Sequence, residues 1–133
     1  MKNSTDQFSF ILKPSIAVPG GVGVFALHDI AKDTQMELFL SDFEEILYSK
    51  EEVPEELQGY CLDQDGGNLL CPKYFNRQDI GNYLNHSAEN ANLRWDKDKG
   101  YFATRDIVKG EELLADYRQL EEPEATWEEY YKK

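Results

Sequence analysis

The chain is organised around one stretch, DIGNYLNHS at residues 79–87, which is followed closely by NAN at residues 90–92. An apolar turn in this stretch ends with an amide, an imidazole and a hydroxyl side by side, those of Asn85, His86 and Ser87. These residue types prefer to hydrogen-bond to nearby backbone rather than to extend a helix or a strand. The stretch therefore indicates either a polar turn or a functional site, and its own residues leave both interpretations open.

Length and composition indicate a single folded domain over residues 1–133. The chain is long enough for one hydrophobic core but hardly for two, and its 41% hydrophobic content is that of a folded protein. No run approaches the ~18 apolar residues that a membrane span needs, and residues 1–6 contain no signal-peptide core. We therefore expect a soluble, intracellular protein.

The formal net charge of −12 limits the partners that the protein can bind. Binding to nucleic acid depends on clustered Lys and Arg, so nucleic acid is not expected as a direct partner. A basic protein or peptide would instead be attracted to this surface. The alternative is that the acidity serves only solubility.

Cysteines and histidines are too few for a structural metal site. Cys61 and Cys71 are widely spaced, and only His28 and His86 could join them as ligands. We expect reduced thiols and no metal. A thiol nucleophile paired with His86 is conceivable, although nothing in the sequence marks either cysteine as activated.

Hydrophobic periodicity and turn residues predict a mainly β domain with many short strands and small helices. The predicted strands are residues 8–12, 22–27, 35–40, 60–63, 68–71, 92–95, 101–104 and 112–117. A helix is predicted over residues 41–47 with Ser41 as its cap, and a helical turn over residues 54–57 with Pro54 at its first position. The acidic, aromatic tail of residues 123–133 is expected to form one or two helical turns.

A glycine cluster at residues 20–23 matches the spacing of a dinucleotide-binding fingerprint. That fingerprint must open a helix, whereas residues 24–27, VFAL, read as a strand. The cluster therefore indicates either a loop whose bare backbone can approach a ligand closely or an ordinary tight turn.

Three stretches in this order resemble the motifs of the SET-domain lysine methyltransferases. They are GVGVF at residues 21–25, YLNHS at 83–87 and GEELLADY at 110–117; YCLD at 60–63 is similar to a weaker tyrosine-containing strand of the family. The resemblance runs from about residue 10 to residue 117. It implies a β-clip or SET-like fold of several small sheets with short helices and a threaded C-terminal segment, an exception to un-knotted topology.

The resemblance also implies a cofactor and its contacts. S-adenosyl-L-methionine would lie against the backbone of Gly21, Val22 and Gly23. Asn85 and His86 would hold its amino-acid and adenine ends, with His86 acting largely through its main chain.

The acceptor lysine, by the same resemblance, would enter an aromatic channel that contains Tyr60 and Tyr117. A free lysine has a pKa of ~10.4, so roughly one molecule in 10³ is neutral and nucleophilic at pH 7. A dry channel and the positive charge of the cofactor both disfavour the ammonium form. Tyr117 is the expected catalytic residue, because its hydroxyl would help to orient the methyl group and the attacking nitrogen, and it would also touch the cofactor.

Departures from the family pattern lie beside the central motif and at the C-terminus. Ser87 is followed by AENAN, one residue longer than usual and without the usual proline, so either Asn90 or Asn92 could take the place of the motif asparagine. Cysteine-rich, zinc-binding flanks are absent from the sequence. The aromatic residues of the tail could close the site as a lid or could pack on the core; they are Trp127, Tyr130 and Tyr131.

The sequence therefore predicts transfer of a methyl group from S-adenosylmethionine to lysine in a basic protein, for example a histone-like one. Acid-rich segments 42–65 and 106–129 are expected to attract that substrate. The alternative is a catalytically weak or inactive SET-fold module for protein–protein contact. Localisation is expected to be cytoplasmic, or nuclear if the substrate is chromatin, and a homodimer could complete the binding surface of so small a chain.

Overall fold

Short strands carry the fold in a computed structural model, which describes residues 1–39 and 44–119. The strands are β1 (Phe10–Pro14), β2 (Val22–Ala26), β3 (Gln35–Met36), β4 (Glu45–Ser49), β5 (Leu62–Gln64), β6 (Asn68–Pro72), β7 (Asn85–His86), β8 (Leu93–Asp96), β9 (Gly100–Ala103) and β10 (Glu112–Ala115). The helices are α1 (Glu55–Gln58) and short 3-10 helices at Lys50–Glu52, Asp65–Gly67, Phe75–Arg77, Ile80–Tyr83 and Tyr117–Gln119. The mainly β architecture expected from the sequence is confirmed.

The larger sheet has the order β1-β2-β10-β8-β9-β3, and β7 also pairs with β10. Strand β10 runs antiparallel to β2 and parallel to both β7 and β8. Leu114 lies opposite Asn85, and Ala115 lies opposite both His86 and Leu93. The C-terminal strand is therefore inserted among earlier strands, and this insertion brings distant sequence motifs side by side.

The main core lies under this sheet. In β9 the side chains of Tyr101 and Ala103 are buried while Gly100 and Phe102 are half-buried, the two-residue period of a strand with one covered face. Strand β2 is buried along most of its length because β1 and β10 flank it. The fully buried aliphatic residues of this core are Val24, Ile30, Leu93, Ile107 and Leu113.

A smaller sheet, β4-β6-β5, has its own core of Val53, Leu69 and Cys71. The predicted helix over residues 41–47 is wrong from Glu45 onward, because β4 pairs with β6 along five residues. This pairing overrides the helical spacing of the sequence; residues 41–43 lie outside the described part of the chain. Pro54 occupies the N-cap of α1 rather than its first helical position.

The predicted strand over residues 35–40 is shorter than expected. Only Gln35 and Met36 pair with β9, after which Leu38 is buried in the core. A Cβ on Gly81 would lie within 2.6 Å of the Phe39 ring, so glycine lets the 3-10 helix of residues 80–83 pack closely on this segment. The Leu38 carbonyl also accepts a hydrogen bond from the N–H of Gly81.

Candidate active site

The central motif forms a strand edge rather than a simple turn. After the 3-10 helix of residues 80–83, Asn85 and His86 pair with β10 as strand β7. The N–H of Ser87 donates to the carbonyl of Ala115 at 3.0 Å, which continues this pairing. The Ser87 hydroxyl accepts a hydrogen bond from the N–H of Asn90 and so closes the following turn. The motif is therefore both a short strand and a polar turn.

A cleft of about 500 Å³ opens beside this motif. It brings together three of the predicted site residues: Asn85, His86 and Tyr117. Ala17, Val18 and Pro19 also line it, in the loop that precedes the glycine cluster, and Ser87, Ala88 and Glu89 complete the lining. Such a volume is typical of small-molecule sites.

The predicted cofactor-binding glycines do not line this cleft. Gly21, Val22 and Gly23 are not among its lining residues, although the loop that leads into them is. The carbonyl of Val22 accepts a hydrogen bond from the Asn85 side chain at 2.8 Å. The second glycine is in close contact with the protein itself, since a Cβ on Gly23 would collide with the Glu112 carboxylate. Direct contact between these three residues and a cofactor stays a prediction.

The Asn85 amide has a defined orientation. Its Nδ2 lies 2.8 Å from the Val22 carbonyl and 3.2 Å from Oε2 of Glu112. Both neighbours are hydrogen-bond acceptors, so the NH₂ group must face them. The amide oxygen is then the part of Asn85 that can accept a hydrogen bond from a ligand in the cleft.

The His86 ring holds the backbone of Tyr117. Its Nδ1 accepts a hydrogen bond of 3.0 Å from the N–H of Tyr117, and the two rings lie 5.2 Å apart between centroids. A nitrogen that accepts a hydrogen bond carries no proton, so the neutral imidazole that fits this geometry has its proton on Nε2. The resemblance implied a main-chain role for His86. In the structure the ring also takes part, through this hydrogen bond with the Tyr117 main chain.

A second cleft, of about 520 Å³, contains both predicted channel tyrosines, Tyr60 and Tyr117. We refer to it as the acceptor groove. Tyr60 is 40% exposed, and its ring packs edge-on against Tyr83 at 6.0 Å. Other side chains that line the acceptor groove include Phe39, Leu62, Leu84, Trp95 and Tyr101. Tyr117 lines both clefts, and its hydroxyl donates a hydrogen bond to the carbonyl of Leu84.

The two cysteines do not have the properties of nucleophiles. Cys61 lines the acceptor groove and is half-buried, whereas Cys71 is fully buried. Desolvation by burial raises the pKa of both thiols, and a hydrogen bond between them raises that of Cys61 further. Both thiols therefore stay protonated at neutral pH, whereas a nucleophilic thiol needs a lowered pKa.

Two residues of this site were not assigned from the sequence. Asn92 is 1% exposed; its Nδ2 donates to the Glu112 carbonyl and its Oδ1 accepts from the N–H of Leu114, both at 2.9 Å. Asn90 is exposed, so Asn92 is the asparagine that fastens the motif to β10. Glu112 received no role from the sequence, although it belongs to the GEELLADY motif of residues 110–117; its carboxylate accepts hydrogen bonds from Ser15, Ile16, Ala17 and Asn85.

Other expectations concern the tail, metals and membranes. Trp127, Tyr130 and Tyr131 lie outside the described residues, so the predicted lid stays a prediction. Within residues 1–39 and 44–119, no group of three or more His, Cys, Asp or Glu side chains is arranged to hold a metal ion. In the same residues, no helix has the length and apolar character to cross a membrane.

The family model of the SET domain matches residues 21–118, and the chain therefore belongs to the SET-domain family. Two solved structures share its fold. One is a Plasmodium falciparum protein provisionally described as a histone methyltransferase, with 24% identity, a TM-score of 0.53, and coverage of 83% of this chain and 93% of that one. The other is the methyltransferase domain of human PR domain-containing protein 2, with 22% identity, a TM-score of 0.56, and coverage of 90% and 83%. No curated protein matches the sequence.

Proposed function

We propose that this protein is a lysine methyltransferase that uses S-adenosylmethionine to methylate a basic protein. The observation that supports this best is that Tyr117 lines both the first cleft, which we call the cofactor cleft, and the acceptor groove. Methyl transfer requires a donor and an acceptor that are bound separately but meet at one point in line. Two clefts that share one side chain suit this requirement, and membership of the SET-domain family supports the same reaction.

The residues of the first cleft fit a cofactor of this chemistry. The amino-acid part of S-adenosylmethionine carries an ammonium group, which needs hydrogen-bond acceptors. The side-chain oxygen of Asn85 can serve as one of these acceptors. The apolar wall of Ala17, Val18 and Pro19 offers surface to uncharged parts of the molecule. When bound, S-adenosylmethionine supplies an electrophilic methyl group.

The residues of the acceptor groove prepare the lysine. Aromatic side chains, among them Tyr60, Trp95 and Tyr101, exclude water from the amine. Desolvation lowers the pKa of the lysine and raises the neutral, nucleophilic fraction. The same rings can stabilise the methylated cation by cation–π contact, at ~0.5–2 kcal/mol.

Two neighbours hold Tyr117 at the junction of the clefts. The His86 ring accepts from its main-chain N–H, and the Leu84 carbonyl accepts from its hydroxyl. A tyrosine fixed at both ends presents its hydroxyl at one defined place, which is the condition for orienting a reacting amine. We assign Tyr117 as the catalytic residue on this basis.

The small sheet contributes to the lining of the acceptor groove through residues such as Glu45, Leu62 and Leu70, and it lies in an acidic part of the chain that suits a basic substrate. Lys50 is the one basic residue between residues 44 and 65. Exposed carboxylates in this part of the chain are Glu44, Glu45, Glu51, Glu52, Glu55, Glu56 and Asp65. A negatively charged surface raises the local concentration of a positively charged partner. A lysine-rich, histone-like protein is therefore the substrate class that we propose.

Calorimetric titration with S-adenosylmethionine, followed by methyl transfer to histones and other lysine-rich proteins, tests this function. We expect binding and turnover in the wild-type protein, and binding without appreciable turnover in Tyr117→Phe. A chain that binds basic proteins but not the cofactor would instead be the SET-fold interaction module. Unchanged turnover in Tyr117→Phe would refute the assignment of Tyr117.

A further inference from the structure

A buried carboxylate next to the cofactor cleft supports an inference that rests on the proposed function and extends it. Glu112 is the first residue of β10, and only 8% of its surface is exposed. Desolvation by burial acts to raise the pKa of its carboxyl group, but hydrogen bonds from the neighbouring loop and from Asn85 outweigh it, so that the pKa lies below its ordinary value. Glu112 is therefore a buried anion at neutral pH.

Neutral donors surround both oxygens of this carboxylate. Oε1 accepts from the main-chain N–H groups of Ile16 at 2.8 Å and Ala17 at 3.0 Å. Oε2 accepts from the Ser15 hydroxyl at 2.7 Å and the Asn85 amide at 3.2 Å. Among the residues that the structure describes, no Lys, Arg or His forms an ion pair with Glu112. These donors therefore compensate for the burial of its charge.

The loop of residues 15–19 is folded around Glu112 and forms one wall of the cofactor cleft. The Ser15 hydroxyl donates to Glu112 and accepts from the N–H of Val18 at 2.9 Å. The base of the loop is closed because the N–H of Ser15 donates to the Gly21 carbonyl at 2.9 Å. Three residues of the same loop, Ala17, Val18 and Pro19, line the cleft.

We propose that Glu112 is a positioning residue for the cofactor cleft. Its carboxylate holds the loop of residues 15–19 in the conformation that forms the wall, and it turns the Asn85 amide so that the oxygen serves the ligand. Glu112 acts through these groups and is not itself among the lining residues.

This role explains the glycine at position 23. A Cβ on Gly23 would collide with Oε2 of Glu112, and it would lie 2.9 Å from Cδ of Glu112 and 3.4 Å from Nδ2 of Asn85. Glycine thus makes room for the carboxylate and for the amide that it orients. All three sequence motifs meet here, one through Gly23, one through Asn85 and one through Glu112.

Substitution of Glu112 by Gln tests the proposal. The side-chain amide introduced by Glu112→Gln would bring N–H groups toward neighbours that act as donors in the wild-type network, so part of that network must break. We expect the amide hydrogens of Ile16 and Ala17 to exchange about tenfold faster or more. We also expect the dissociation constant of S-adenosylmethionine to rise about tenfold, while the affinity for a lysine-rich peptide stays unchanged.

The matched control is Glu111→Gln, which removes the same charge from the preceding residue. Glu111 pairs with Arg105 and accepts from the N–H of Val108, and no hydrogen bond joins it to residues 15–19. We expect this variant to leave exchange at residues 16 and 17 and cofactor affinity as in the wild type. Equal loss of cofactor and peptide affinity in Glu112→Gln would indicate a purely structural role and overturn the proposal.

The amide-exchange measurement also separates the two hypotheses. A wild-type protein that does not bind S-adenosylmethionine would refute the proposed function, whereas unchanged exchange at Ile16 and Ala17 in Glu112→Gln would refute the role of Glu112. If Glu112→Gln does not fold, Ser15→Ala removes one donor and keeps the carboxylate. It should change exchange and cofactor affinity in the same direction by a smaller factor, and no change in either would count against the proposal.

Discussion

The main-chain N–H of Tyr117 donates a hydrogen bond of 3.0 Å to Nδ1 of His86. These residues are far apart in sequence, and the parallel pairing of β7 with β10 brings them together. The bond fixes the point at which the chain leaves β10 and enters the 3-10 helix of residues 117–119. The imidazole of the central motif therefore determines where the proposed catalytic tyrosine stands.

Replacement of His86 by Phe should lower the rate of methyl transfer strongly and the free energy of unfolding only modestly. The Phe ring fills similar space but cannot accept the hydrogen bond, and the part-buried N–H of Tyr117 loses its acceptor at a cost of about 1 kcal/mol. Denaturant unfolding measures that loss. Methyl transfer should fall by roughly a hundredfold, because the tyrosine is no longer held in place. Wild-type turnover in a folded His86→Phe protein would contradict the positioning role.

Replacement of Tyr117 by Phe should separate binding from chemistry. The variant keeps the ring that lines both clefts and loses only the hydroxyl that contacts Leu84. We expect cofactor affinity within a few-fold of wild type and a turnover number lower by about a hundredfold or more. Tyr74→Phe is the control, because Tyr74 is 44% exposed and lines neither cleft; its turnover should be that of the wild type.

Addition of a methyl group at position 23 should destabilise the fold. In Gly23→Ala the new Cβ collides with the Glu112 carboxylate, and such overpacking costs ~1–3 kcal/mol. Gly59→Ala is the matched control, because a Cβ there meets nothing within 4 Å and the residue has helical φ and ψ. Thermal or denaturant unfolding should show a loss only for Gly23→Ala. Equal stability of both variants would mean that the carboxylate can move aside.

The contribution of Glu112 to stability should depend on pH. Its pKa is lowered in the folded state, so the unfolded chain, with a pKa near ~4.3 for Glu, binds the proton more readily. The stabilisation is therefore fully present above the unfolded pKa and is lost as pH falls through the lower, folded pKa. Wild type should exceed Glu112→Gln in free energy of unfolding by ~2–4 kcal/mol at pH 7.

Denaturant unfolding of both proteins between about pH 7 and pH 3 measures this difference. Asp116, whose pKa is lowered chiefly by hydrogen bonds from Arg118, is present in both proteins. Its titration therefore cancels in the comparison. A difference in stability that is constant down to the lowest pH would show that the charge of Glu112 is not what matters.

Salt should weaken substrate binding and spare cofactor binding. Most carboxylates of residues 44–65 are exposed, so their attraction for a basic peptide is screened as the Debye length shortens from ~14 Å at about 50 mM salt to ~4 Å at about 500 mM. Calorimetry at both concentrations measures the two affinities. A peptide affinity that does not change with salt would remove the electrostatic basis for the proposed substrate class.

Local sequence patterns were sufficient for most of the sheet. Alternating residues in 100–103 and turn residues at 65–67 and around Gly110 predict strands where the structure has them, because these features act within a few neighbouring residues. Strands β4 and β7 could not be predicted in the same way. Each is stable as a strand because a distant partner, β6 or β10, satisfies its backbone hydrogen bonds.

The sequence by itself determined the β-rich class, the three motifs and the acidic character, since these depend on residue type, order and spacing. Only the tertiary structure decided which asparagine fastens the motif, what the His86 ring contacts and why position 23 is glycine. Asn92 and Glu112 carry ordinary polar side chains, and burial alone makes their hydrogen bonds obligatory. The insertion of β10 between strands from earlier in the chain produces that burial, and it converts the motif at residues 79–87 from a polar turn into one wall of a cleft.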